Sequence, residues 1–160
     1  MTEIETDSTT PVMLPLEADA LPERWAPVDP ASAGLDVETL FVTDGIGAGY
    51  RPNITVARYV AGVAAVEIAD STLADTSEAT LLTRDEAEAS CSQLVEFWFQ
   101  VGDRRLVLRL AEVVMTWHSL DPAYLDTNVV ARMMCTIDQF DDSIAEFAAF
   151  VGSMTPDVSA

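Results

Sequence analysis

The chain has 160 residues, 49% of them hydrophobic, and 27 acidic against 8 basic side chains, for a net charge of −19. That length suits one domain, and a mean hydropathy of +0.20 excludes a largely disordered polymer. So negative a surface disfavours phosphate backbones and anionic lipid head groups, and suits either solubility or the long-range attraction of a basic partner.

Met1–Thr10 is acidic and polar, with neither the basic start nor the apolar centre of an export signal. No apolar run of about 18 residues follows, so no membrane insertion is expected, and the default compartment is the cytoplasm. Residues 1–12 read as a flexible acidic tail, 13–154 as a single domain, and 155–160 as a C-terminal tail. Pro15, Pro22, Pro27 and Pro30 bracket Trp25, which suits an extended surface segment with the indole docked into the fold. Ala31–Asp36 reads as a turn and Val37–Val42 as a strand. Asp44–Gly49 (DGIGAG) is glycine-rich but lacks a following Lys-Ser/Thr. The next segment, Asn53–Val60, is β-rich where a phosphate loop needs a helix, so a hairpin connection is expected there. In Asn53–Val60, alternation places Ile54, Val56 and Arg58 on one face and Thr55, Ala57 and Tyr59 on the other. Residues 61–74 carry Val63, Val66 and Leu73 at the spacing of a short helix. Thr80–Arg84 reads as a strand, and Asp85–Ala89 is ambiguous.

The strongest pattern is a hairpin. Ser92–Val101 and Arg104–Trp117 are dense in β-branched and aromatic residues, and Gly102-Asp103 between them suits a tight reversal. Alternation groups Val95, Phe97, Phe99 and Val101 on a face shared with Leu106, Leu108 and Leu110. The other face takes Leu94, Glu96, Trp98 and Gln100 with Arg105, Val107, Arg109 and Ala111. One face is thus apolar and the other mixed, as for a sheet roofed by helices on one side and partly wet on the other. His118–Asp126 is a loop with Pro122 at its turn, and Val129–Ile137 reads as a central strand. A final helix follows, capped by Asp138 or Asp141, with an apolar stripe of Phe140, Ile144, Phe147, Ala148 and Val151 and a stop at Gly152. The order predicts an α+β fold, an antiparallel sheet with helices packed on it.

Arg51–Tyr59 (RPNITVARY), the hairpin turned at Gly102, and the strand running through Cys135 into Asp138–Ser153 (DQFDDSIAEFAAFVGS) together resemble the PsbP-like group. Its bacterial members include DcrB-type and LpqN-type proteins. The resemblance spans roughly residues 13–154 and implies an α/β/α sandwich around an antiparallel sheet. Members act as photosystem accessory proteins, envelope lipoproteins, small-GTPase-binding proteins and secretion-effector chaperones, and the resemblance implies no common catalytic site. LpqN-type proteins carry an export signal and a lipobox cysteine. Neither is read here, which favours a cytoplasmic adaptor or chaperone.

Catalytic chemistry finds little to work with. His118 is the only histidine, and its neighbours Ser119 and Asp121 share its loop, whereas a relay needs side chains converging from separate elements. Asp138, Asp141 and Asp142 lack the spacing of a calcium loop and suit a helix N-terminus. Cys91 and Cys135 sit in apolar runs and read as free core thiols, and with His118 they form no zinc pattern. The expectation is therefore no catalytic residues, no metal and no cofactor. A protein-binding module (adaptor, secretion chaperone or immunity-type protein) follows, whose partner-facing residues are Trp98, Glu96, Gln100, Arg105 and Arg109, Trp98 being the anchor. The alternative is a small-molecule or lipid carrier with a pocket between sheet and helix, and an enzyme of unrecognised type stands behind both.

Overall fold

A computed structural model describes residues 11–43 and 50–156. The acidic start at Met1–Thr10 and the glycine-rich Asp44–Gly49 lie outside the described residues. In chain order the strands are β1 (Val12–Met13), β2 (Leu16–Glu17), β3 (Trp25–Val28), β4 (Thr39–Thr43) and β5 (Asn53–Val60). Helix α1 (Ala65–Asp75) follows, then β6 (Thr80–Ala87), β7 (Ser90–Val101), β8 (Arg104–Trp117), β9 (Tyr124–Leu125) and β10 (Thr127–Thr136). Helix α2 (Ile137–Gly152) and β11 (Thr155–Pro156) close the chain. A short 3₁₀ turn at Pro30–Ala33 fills the expected turn after β3, ended by Gly34 at φ 74°.

Seven strands form one antiparallel sheet in the order β3-β4-β5-β10-β8-β7-β6. The α+β class and the antiparallel sheet with helices packed on it stand as expected. Strand β10 is central, as read, and enters between β5 and β8. The β7–β8 hairpin reverses through Gly102-Asp103, where Gly102 holds φ +59°, a left-handed conformation that costs glycine nothing. Strand β6 runs through the ambiguous segment to Ala87. It forms the sheet's outer edge, mostly exposed and broken by a register shift between Leu81 and Thr83 that blunts it for edge-to-edge pairing. Val12 and Thr155–Pro156, read as tail, sit in two-residue strands paired to β9 and β2.

Both sheet faces are covered, as the resemblance to an α/β/α sandwich implies, and the partly wet face read from the hairpin is corrected. Along β10, Val129, Ala131, Met133 and Cys135 enter the cluster beneath α2, with Trp25, Ile54, Val56, Phe147 and Phe150. Val130, one residue out of phase, joins Ala65, Ala69, Cys91 and Val114 beneath α1. The face of Leu94 and Ala111, read as partly wet, is the one that packs under α2. The other face is not fully apolar either, because it continues past Leu110 into buried Glu112. Helix α2 begins at Ile137 with Thr136 as its N-cap, ahead of both aspartates expected there. Gln139 Oε1 accepts from the Thr136 N–H at 2.9 Å. Ala148 is exposed, and Phe150 takes the place it was given in the stripe. Trp25 docks as read: its indole N–H donates to Glu146 Oε1 at 2.9 Å, and the Arg24 guanidinium lies over its ring.

Candidate functional site

The hairpin residues singled out from sequence share one face. The register sets Glu96 opposite Arg109, Trp98 opposite Val107 and Gln100 opposite Arg105. Helix α2 divides them. Near its first turn, Arg109 lies under the Phe140 ring (4.9 Å) with its Nε 3.5 Å from Glu96, both side chains half-buried. Beyond the helix, Trp98 is 46% exposed with the Arg105 guanidinium stacked 4.7 Å from its ring centre. Arg105 is also paired with Glu78, and Gln100 donates to the Gly102 carbonyl. Trp98, Gln100 and Arg105 therefore form the accessible part of the proposed set, while Glu96 and Arg109 brace it from below.

A second polar arrangement escaped the sequence reading. Cross-strand neighbours Arg84, Gln93, Glu112, Arg132 and Thr55 lie in one row across β6, β7, β8, β10 and β5. Glu112 is fully buried in its centre. Its Oε2 accepts from Arg132 Nε at 2.6 Å and Thr72 Oγ1 at 2.7 Å, and its Oε1 accepts from Gln93 Nε2 at 2.9 Å. Gln93 also donates to the Ala69 carbonyl and accepts from Arg84, whose Nη1 reaches Asp70 at 2.6 Å. Helix α1 thus sits on the sheet through a connected polar network as well as through Ala65 and Ala69. The sequence signal was Glu112 inside the apolar stretch Leu110–Met115.

A cavity of about 1090 Å³ lies where β10 ends and α2 begins. Tyr50, Arg51, Phe99, Arg104, Leu106, Val107 and the Thr136–Gln139 turn line it. Tyr50 ties its walls together. Its carbonyl accepts from Gln139 Nε2, its hydroxyl accepts from Asn53 Nδ2, and its ring meets Phe99 edge-on. A smaller cleft of about 510 Å³ beside α1 has Thr72 and Arg132 among its lining residues.

The hydrolase-like trio does not assemble. His118 Nδ1 faces Asp126 Oδ2 at 3.0 Å, while the Ser119 hydroxyl donates to the Asp121 carbonyl, closing its own loop. Hydrogen bonds from His118 and the Ser119 N–H hold the Asp126 carboxyl below its usual range. Among the described residues, no three His, Cys, Asp or Glu side chains gather as metal ligands. Cys91 and Cys135 are free and buried beneath different helices. Burial pushes the Cys135 thiol up to about 11 from an ordinary 9.0. The sign follows from proton release: as pH rises past 9 the unfolded chain loses this proton and the folded chain keeps it, so alkali favours unfolding. The urea midpoint is expected to fall between pH 9 and 11, and Cys135→Ala to lessen that fall. An unchanged slope in the variant would refute the assignment.

Among the described residues, no helix is long and apolar enough to cross a membrane. No family model matches the chain, and no curated protein matches its sequence. Solved structures do match in shape. LpqN of Mycobacterium tuberculosis, described as involved in cell envelope biogenesis, aligns with a TM-score of 0.59 at 8% identity, covering 89% of this chain and 84% of its own. The cyanobacterial PsbP (CyanoP) of Synechocystis sp. PCC 6803 aligns with a TM-score of 0.52 at 14% identity, covering 95% and 97%. The expected resemblance is therefore one of fold, and this chain has the PsbP-like fold.

Proposed function

We propose that the chain is a non-enzymatic protein-binding module that engages its partner with the free end of the β7–β8 hairpin. The observation that carries this reading is Trp98, nearly half exposed on a mixed polar face and held in place by the Arg105 stack. A large rigid aromatic rimmed by polar groups loses little conformational entropy on binding and is the commonest kind of interface anchor. The net charge of −19 favours a basic partner at long range.

The test is comparative capture from the native cell with wild-type and Trp98→Ala protein. The partner retained by the wild type is expected to bind the variant about 30-fold more weakly, the scale of a central interface residue. Leu120→Ala, at a fully exposed loop position, is expected to change nothing. Equal capture by a folded Trp98→Ala protein would sink the proposal. A second reading, a carrier of a small apolar molecule, has the cavity beside Phe99 and Tyr50 in its favour, since its size suits such a ligand.

A further inference from the structure

We propose that the cavity at the end of β10 is a docking lane for an extended peptide segment, which adds as a strand to the free edge of β8 and places a carboxylate between Arg51 and Arg104. This deepens the protein-binding reading above and rests on it. The register makes the lane. Strand β10 runs beside β8 as far as Thr136 opposite Leu108, and then turns into α2. Arg104–Val107 continue for four more residues, paired only to β7 among the described residues. Backbone groups alternate between the two sides of a strand, so every second residue here offers its N–H and C=O to the open side. The cavity is lined by Leu106 and Val107, neighbours that point to opposite faces, so it opens on the strand edge itself. It occupies the track that β10 would have followed.

The walls specify the occupant. Four residues of strand span about 13 Å, the length of this free edge. Phe99 and Leu106 offer apolar surface from one face and Val107 from the other, while Ile137 stands 44% exposed where α2 begins. An entering strand with apolar side chains on alternate sides would meet both. Charge narrows the choice. Arg24, Arg58, Arg84, Arg105, Arg109 and Arg132 each have a carboxylate within ion-pair distance. Arg51 and Arg104 have none among the described residues, and both line this cavity, Arg51 held there by donating Nε and Nη2 to the Thr43 carbonyl. At contact distance these two outweigh the protein's general negative field, which salt screens over about 8 Å. Asp138, also in the lining, favours a segment with a single carboxylate. A fatty acid could use the arginines and the apolar walls but would leave the edge unpaired. A peptide satisfies all three features, by the usual mode of strand addition.

The experiment uses the full chain and an array of immobilised ten-residue peptides, with and without an acidic residue or free carboxylate at either end. Peptides with alternating apolar residues and one terminal carboxylate are expected to be selected. N-methylation at every second position of a selected peptide is expected to weaken it tenfold or more, and at the intervening positions to do little. Arg104→Glu, at an exposed residue, is expected to cost a similar factor for acid-ended peptides, and Leu120→Ala, at a fully exposed loop position, to leave them unaffected. Binding indifferent to N-methylation would overturn the proposal, as would saturable binding of laurate with no peptide selected. If Trp98→Ala abolishes capture of the cellular partner while no peptide binds, the binding-module reading survives and the lane does not. If peptides bind as described while capture is insensitive to Trp98, the lane stands and the hairpin anchor falls.

Discussion

Glu112→Ala is expected to lower the stability of the folded chain by about 3–5 kcal/mol, measured by urea unfolding at neutral pH. The side chain is inaccessible to solvent and its carboxylate accepts three hydrogen bonds, from Arg132, Thr72 and Gln93. Truncation removes the partner of a guanidinium that is two-thirds shielded, and leaves the Gln93 amide and the Thr72 hydroxyl with donors to place elsewhere. It also opens a void beneath α1 near Ala69, which is fully buried against the sheet. The paired replacement Glu112→Leu with Arg132→Met separates these effects. Removing both charges together is expected to recover most of the loss, because a buried ion pair must offset its own desolvation and often gains little net stability. A Glu112→Ala protein within about 1 kcal/mol of the parent would show that water or a rearranged Arg132 compensates, and that the row does not anchor the helix.

What such a row supplies is register. A slip of one residue between β7 and β8 would bring Val95 and Leu110 to the wrong faces and leave Glu112 in apolar surroundings without Gln93 or Arg132 opposite. The polar line therefore penalises the misaligned pairings that an apolar alternation alone tolerates. It crosses β6, β7, β8, β10 and β5, where most of the described residues' pairing is concentrated.

The sequence made the hairpin legible because its period is local. Gly102-Asp103 fixes the reversal, and the reversal fixes which residues face one another. Central β10 was legible for a similar reason, as an apolar run with few breaks. The polar row was not: the hairpin sets Gln93 opposite Glu112, but the row also needs the β6–β7, β8–β10 and β5–β10 registers, and the last joins Thr55 to Arg132 from distant parts of the chain. Arg84, Gln93, Glu112 and Arg132 are 9, 19 and 20 positions from one another in turn. The roofing of the mixed face was missed for a different reason. Arg109 and Glu96 suggested a wet surface, but paired and covered by the Phe140 ring they lie under a helix at little cost. The N-terminus of α2 was misplaced because three aspartates there suit a first turn, while the end is closed by Gln139 Oε1 accepting from the Thr136 N–H. Of the five residues proposed as a partner face, alternation showed that they share one side of the hairpin, but not that Trp98, Gln100 and Arg105 are exposed while Glu96 and Arg109 lie near the first turn of α2.

Phe147→Ala is expected to cost about 3–5 kcal/mol, and to do so by loosening α2 from the sheet. Phe147 is 2% exposed in the cluster formed with Ile54, Val56, Ala131 and Met133. Those partners are held by the β5–β10 ladder and cannot collapse into the space vacated, so the cavity persists and the full loss is felt. The neighbouring substitution Ala148→Ser, on the exposed side of the same turn, is expected to stay within about 0.5 kcal/mol. The contrast matters for the site as well as for stability. Phe140 and Gln139 belong to the first turns of α2, where one covers Arg109 and the other holds Tyr50. If α2 is loosened at Phe147, amide exchange is expected to quicken at Tyr50 and Thr136 too, and the walls of the cavity to part. Rapid exchange confined to the residues around Phe147 would show that the two ends of the helix are anchored independently, with the cavity held by Gln139 and Tyr50 alone.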